Sequence, residues 1–133
     1  MKKTARILLV DDTDLHRELF SRYLEQLGYP NVQEAGDGRQ ALQSVASYQP
    51  HLVLMDTQMP GPYGPEVSRQ IRQTERGKMI GIIGMTDNDD PTYRDTWLEA
   101  GADEFLKKGD IFASRQVLDD AIQKVLKKYE MQQ

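Results

Sequence analysis

Five short segments of this chain read as strands, and each is followed by a longer segment whose apolar residues repeat at intervals of three and four. That alternation admits few folds. Strands separated by helices must run parallel, a parallel neighbour needs a crossover, and crossovers are nearly always right-handed, so the helices must cover both faces of one sheet. The clearest strand is Leu52-Val53-Leu54-Met55, closed by Asp56 and then by Met59-Pro60-Gly61. Four consecutive apolar residues are too few for a helix, and their lack of alternation marks a strand buried on both faces, as in the middle of a parallel sheet.

Taken in order, Ile7 to Val10 forms a first buried strand ending in Asp11-Asp12. Leu15, Leu19, Phe20, Tyr23, Leu24 and Leu27 then mark a helix that stops at Gly28, with Thr13 or Asp14 as its cap. Asn31 to Ala35 is a short, weakly patterned strand, and Ala41, Leu42, Val45 and Ala46 mark a helix that stops before Pro50. After the central strand a loop rich in Pro and Gly leads to a helix over about Glu66 to Glu75, anchored by Val67 and Ile71. Met79 to Met85 is the fourth strand, closed by Thr86-Asp87. Asp89-Asp90-Pro91 opens a helix carrying Tyr93, Trp97, Leu98 and Ala100. Ala102 to Leu106 is the fifth strand, ending in Lys107-Lys108-Gly109, and Val117, Leu118, Ala121, Ile122, Val125, Leu126 and Tyr129 line one stripe of a closing helix. The fold expected is α/β: a flavodoxin-like doubly wound sheet of five parallel strands in the order 2-1-3-4-5, with five helices.

At 133 residues the chain fits one domain over 1–133. A domain of that size buries roughly two-thirds of its unfolded surface, so it needs no disulfide or metal for stability. With 38% apolar residues, 29% charged residues and no cysteine, its default compartment is the cytoplasm. Lys2-Lys3 precedes only four apolar residues before Asp11, which excludes a signal peptide and membrane insertion there. A net charge of −4 argues against non-specific nucleic-acid binding and says nothing of specific partners; no direct nucleic-acid contact is expected.

The order 2-1-3-4-5 puts its switch point between strands one and three, where open α/β sheets bind ligands at the carboxyl ends of the strands. Asp11, Asp12 and Asp56 meet there, and Thr86 and Lys108 end the neighbouring strands. Crowded carboxylates repel one another until a cation neutralises them. Oxygen-only ligands favour Mg2+, with Mn2+ as the alternative, and Mg2+ characteristically pairs carboxylates with phosphate. Thr86 and Lys108 would hold phosphate oxygens. A carboxylate can itself be the nucleophile, and Asp56 is best placed for that role.

Val10-Asp11-Asp12, Met55 to Gly61 with Gly64, Met85-Thr86, and Gly101 to Lys108 together resemble the receiver domains of two-component response regulators, and the resemblance runs over essentially the whole chain. It implies that Asp56 is the phosphoacceptor, that Asp12 binds Mg2+ directly and Asp11 through water, and that the Gln58 backbone carbonyl is a further ligand. It also implies that Thr86 is the switch hydroxyl, Lys108 the invariant lysine, Lys107 a variable position and Phe105 the aromatic that changes rotamer on activation. The donor would be a phosphohistidine on a histidine kinase or a histidine phosphotransfer protein. The downstream protein would bind the face formed by the fourth helix, fifth strand and last helix. Such a domain is not an enzyme beyond its own phosphotransfer and dephosphorylation, and it works alone, as chemotaxis-type regulators do, or as an excised receiver.

Two positions depart from the family pattern: Gly109 stands where a proline is usual, so the cis peptide common there does not follow from the resemblance, and Asp87 stands where a small residue is usual. Asp87, Asp89 and Asp90 make an acidic rim, with Asp87 as a possible modulator of access. His16 and His51 read as structural or solvated rather than as ligands, and Phe105 and Trp97 as core or interface aromatics. The alternatives are a non-phosphorylated adaptor with this fold and an aspartate-nucleophile phosphohydrolase. The latter wants an acid two residues after its nucleophile, where this chain has Gln58.

Overall fold

The computed structural model describes residues 4–130, and Lys2-Lys3 lies outside them. β1 (Ile7–Val10) and β3 (Leu52–Asp56) are buried along their whole length, which is why their sequences show no alternation. β2 (Val32–Ala35) and β5 (Glu104–Lys107) are the edges and mix buried with open positions. With β4 (Gly81–Thr86), also buried throughout, they form one parallel sheet in the order β2-β1-β3-β4-β5.

Successive residues of each strand point to opposite faces, and the sheet accordingly divides two cores. Ile7, Leu9, Leu52, Leu54, Ile83 and Met85 pack with Phe20 and Leu24 of α1 (Asp14–Gln26) and with Leu118 and Ile122 of the closing helix. On the other face Leu8, Val10, Val53, Met55 and Ile82 pack with Ala41 of α2 (Gly38–Tyr48), Val67 and Ile71 of α3 (Gly64–Arg72), and Trp97 of α4 (Thr92–Glu99).

Six helices, not five, complete the described chain. β5 runs directly into α5 (Lys108–Ala113), which Ser114 in extended backbone separates from α6 (Arg115–Glu130). Ile111 anchors α5 in the core, and Phe112 stacks on Phe20 of α1 with ring centroids 5.3 Å apart. Six residues with one buried apolar anchor leave no helical period to read. Lys108 therefore opens a helix rather than ending a strand. Smaller corrections follow the same logic. α3 begins two residues early at Gly64 and ends at Arg72, before a 3₁₀ turn over Arg76–Met79, and β4 starts at Gly81. Pro91 lies just before α4 instead of in its first turn, and β5 is shifted toward Lys107. Among the described residues no peptide bond is cis, and no helix is long and apolar enough to cross a membrane.

Candidate functional site

The parallel register brings the strand ends level. Val10 pairs with Met55, Asp56 with Met85, and Thr86 with Lys107. The residues just past these pairs share one edge, so Asp11 follows β1 beside Asp56 at the end of β3. Oxygens of Asp11, Asp12 and Asp56 lie within 4.8 Å of one another, and this trio is the group among the described residues that could hold a metal ion. Asp12 is exposed, whereas Asp11 is fully buried and Asp56 is 6% exposed.

Each buried carboxylate is held by local backbone and by one distant cation. Asp11 Oδ1 accepts from the Thr13 N–H at 2.9 Å and Asp56 Oδ1 from the Thr57 N–H at 2.9 Å. Lys108, 1% exposed, donates through Nζ to Asp11 Oδ2 at 2.7 Å and lies 3.3 Å from Asp56 Oδ1. Burial pushes the Asp56 carboxyl up to about 7, with the Lys108 ammonium opposing the rise and the Asp11 carboxylate adding to it. Three carboxylates face one ammonium, so the set is short of positive charge. An oxygen-only donor set with that deficit fits a hard divalent cation, and phosphate oxygens would complete its shell.

The other expected residues lie at neighbouring strand ends, in the following loop and on the edge strand. Thr86 is buried at the end of β4, and its Oγ1 accepts from the Asn88 N–H at 3.1 Å. Gln58 follows in the exposed loop, where its side-chain Nε2 donates to the Tyr93 hydroxyl at 3.1 Å. Gly64 lets that loop turn close to the site: a Cβ there would come 2.3 Å from the Asp56 carbonyl oxygen. Phe105 is buried in the second core, the cluster that also holds Trp97 and against which Met59 and Tyr93 pack. Of the rim acids, Asp90 Oδ1 accepts from the Thr92 N–H at 2.9 Å and so caps α4, and Asp89 lies 3.7 Å from Lys107 Nζ. Asp87 is exposed.

Three contributors were not legible as site residues. His16, on the first turn of α1, places Nδ1 3.0 Å from Lys108 Nζ and 3.8 Å from Asp11 Oδ2, so it is a site neighbour without joining the acidic trio. Its position four residues after Asp12 was the available signal, since one helical turn carries a side chain back over the strand end. Arg17 braces the same loop by donating to the Asp11 carbonyl at 2.6 Å and by pairing with Asp14 and, at 3.3 Å, with Glu34. Trp97 reaches from α4 to donate to Thr57 Oγ1 at 2.8 Å, beside Asp56. By contrast His51 is structural, as expected, and its Nδ1 accepts from the Arg6 N–H at 2.9 Å.

A doubly wound parallel sheet with an acidic trio and a buried lysine at its switch point presents a cleft built to receive a hard cation together with an anionic ligand. The chain belongs to the response regulator receiver domain family, whose model matches residues 7–130. Response regulator MprA of Mycolicibacterium vanbaalenii is 44% identical over 104 residues, covering 78% of this chain and 44% of that protein. The Mycobacterium ulcerans MprA is 41% identical over 105 residues, again 44% of its length, so the chain spans less than half of these curated relatives. Among solved structures, the receiver domain of a Pseudomonas aeruginosa PAO1 sensor histidine kinase, with a magnesium ion coordinated in its active-site cleft, superposes with a TM-score of 0.83 at 31% identity. That match covers 92% of this chain and 98% of the other. Chemotaxis protein CheY4 of Vibrio cholerae gives a TM-score of 0.82 at 28% identity, with the same coverage of both chains.

Proposed function

We propose that this receiver accepts a phosphoryl group onto Asp56 from a phosphohistidine of a histidine kinase or histidine phosphotransfer protein, and signals by changing a protein-binding surface. The observation that carries the reading is the convergence of the three carboxylates within 4.8 Å, with Lys108 on two of them. Asp11, Asp12, Asp56 and the Gln58 backbone carbonyl would hold Mg2+, or Mn2+ in its place. When bound, the ion offsets the negative charge of the carboxylates and of the incoming phosphoryl oxygens.

An Asp56 oxygen attacks phosphorus, the phosphorus–nitrogen bond of the donor breaks, and the departing imidazole leaves with the bonding pair and takes up a proton. Thr57 N–H and Lys108 orient the Asp56 carboxylate for that attack. Lys108 then neutralises phosphoryl oxygens, and Thr86 Oγ1, exchanging its bond from the Asn88 N–H, donates to one of them. Later attack of water on phosphorus returns the carboxylate and releases inorganic phosphate. Output passes through the face formed by α4, β5 and α6, as Thr86 draws inward and Phe105 follows. Incubation with acetyl phosphate and Mg2+, followed by intact mass measurement, should show one added phosphoryl group that base removes. A chain that gains no mass contradicts the reading.

A further inference from the structure

Trp97 is the one tryptophan of the chain, and it is fully buried between α4 and the sheet. An indole fits at that depth because two facing positions are glycine. A Cβ on Gly84 of β4 would come 2.3 Å from Trp97 Cδ2, and one on Gly64 would come 2.9 Å from its Cζ2. The ring thereby reaches the residue next to Asp56. Its Nε1–H donates to Thr57 Oγ1 at 2.8 Å, and Thr57 Oγ1 donates at 2.7 Å to the carbonyl of Met85, the register partner of Asp56. The peptide N–H of the same threonine donates to Asp56 Oδ1 at 2.9 Å. Asp56, Thr57 and Trp97 thus form one buried line from the carboxylate to the fourth helix.

A buried indole N–H needs some acceptor, and any nearby carbonyl would satisfy it. Here the acceptor is the side chain of the one residue whose backbone holds Asp56. We infer that Thr57 and Trp97 are positioning residues that couple the charge on Asp56 to the placement of α4, by a route separate from Thr86 and Phe105. The inference rests on Asp56 being the phosphoacceptor. Phosphorylation forms an acyl phosphate, so the carboxylate charge leaves both Asp56 oxygens whichever of them carries phosphorus. The Thr57 N–H then loses a charge-assisted bond, which is roughly twice as strong as a neutral one. With that bond weakened, Thr57 is still held by its two Oγ1 bonds and by the Gly64 N–H on its carbonyl at 2.9 Å, and any rotation of its N–H peptide about those points displaces the indole. The ring is fully buried and lies close against Gly84 and Gly64, so it cannot shift toward them and the displacement passes to α4. By reciprocity, a partner that displaces α4 changes the free energy of the acyl phosphate by the same amount.

The test uses the isotope-labelled full chain with acetyl phosphate and Mg2+, reading intact mass and NMR spectra on the same samples. The wild type should gain one phosphoryl mass and shift its indole Nε1–H resonance. Trp97→Phe, which keeps a ring but loses the donor, and Thr57→Val, which loses the acceptor, should each reduce the phosphorylation-dependent amide shifts of residues 92–96 at least about twofold. The double variant should lose no more than either single one, because both break the same line. Thr57→Ser keeps the hydroxyl and should restore the wild-type shifts. A phosphorylated wild type with an unmoved indole resonance overturns the inference, as do full-sized α4 shifts in Trp97→Phe or equal losses in Thr57→Ser and Thr57→Val. If Thr57→Val does not fold, the wild-type indole resonance and Trp97→Phe decide. Absence of added mass in the wild type overturns the phosphoacceptor reading instead.

Discussion

The acidic trio is unequal: Asp56 and Asp11 are buried and bonded to Lys108, whereas Asp12 is exposed. Asp12 is therefore the member least neutralised within the protein, and its charge is the most available to a cation. Asp12→Ala should weaken Mg2+ binding at least ~10-fold by titration, the scale on which changes around a metal site act. Unchanged affinity would place the ion elsewhere. At the mouth, Asp90 is engaged as a cap and Asp89 lies near Lys107, while Asp87 stands exposed beside Thr86. Acetyl phosphate is an anion, so Asp87→Ala should speed its reaction several-fold at low salt and Asp90→Ala less, with added salt narrowing the gap. Time-resolved mass measurement gives these rates. A rate that stays the same or falls in Asp87→Ala would exclude an electrostatic gate. Asp56, Asp12, Thr86 and Lys108 were legible from sequence because each ends or adjoins a recognisable strand. His16 was not: its place one helical turn after Asp12 pointed back to the strand end, but a lone histidine on a helix does not name the distant Lys108 it meets.

At the scale of elements, β1 and β3 were legible because burial on both faces writes an unbroken apolar run. α5 was not, because six residues carry less than two helical turns and its hold depends on Phe112 meeting Phe20 from a distant helix. The seat of Trp97 was equally hidden. Large-to-small complementarity with Gly64 and Gly84 has no period, and only packing reveals it. The proposed switch also assigns part of the signal to one pair of elements. Thr86 ends β4 beside β5, so Thr86→Ala should leave the phosphoryl mass gain largely intact while cutting the phosphorylation-dependent amide shifts near Phe105. Full-sized shifts there would show that Thr86 does not carry the signal to β5.

Across the whole molecule, the edge opposite the site is fastened by one polar network. Arg72, at the end of α3, donates to the Gly101 carbonyl at 2.9 Å and to Asp103 at 3.0 Å. Asp103 also accepts from the Ile82 N–H at 2.9 Å, from Lys128 at 2.6 Å and from the Tyr129 hydroxyl at 2.8 Å. α3, β4, β5 and α6 are thereby tied together at the edge away from the carboxylates. Burial, and then the bond to Asp103, push the Tyr129 hydroxyl up to about 12. A raised value means that folding favours the neutral phenol, so this contribution is complete below its ordinary value of about 10 and is lost as pH rises through about 12. Urea midpoints of the wild type should fall over that window more steeply than those of Tyr129→Phe. Parallel curves would show that the network does not depend on the phenol proton. The strand order was legible from the count and spacing of elements alone, whereas this network joins residues far apart in the chain and needed the fold to assemble it. The central claim remains that phosphorus is carried by Asp56, and tandem mass spectrometry of the chain after acetyl phosphate and Mg2+, beside Asp56→Asn, tests it most directly. The account predicts the added mass on Asp56 and none in the variant; added mass on another residue, or equal labelling of Asp56→Asn, would contradict it.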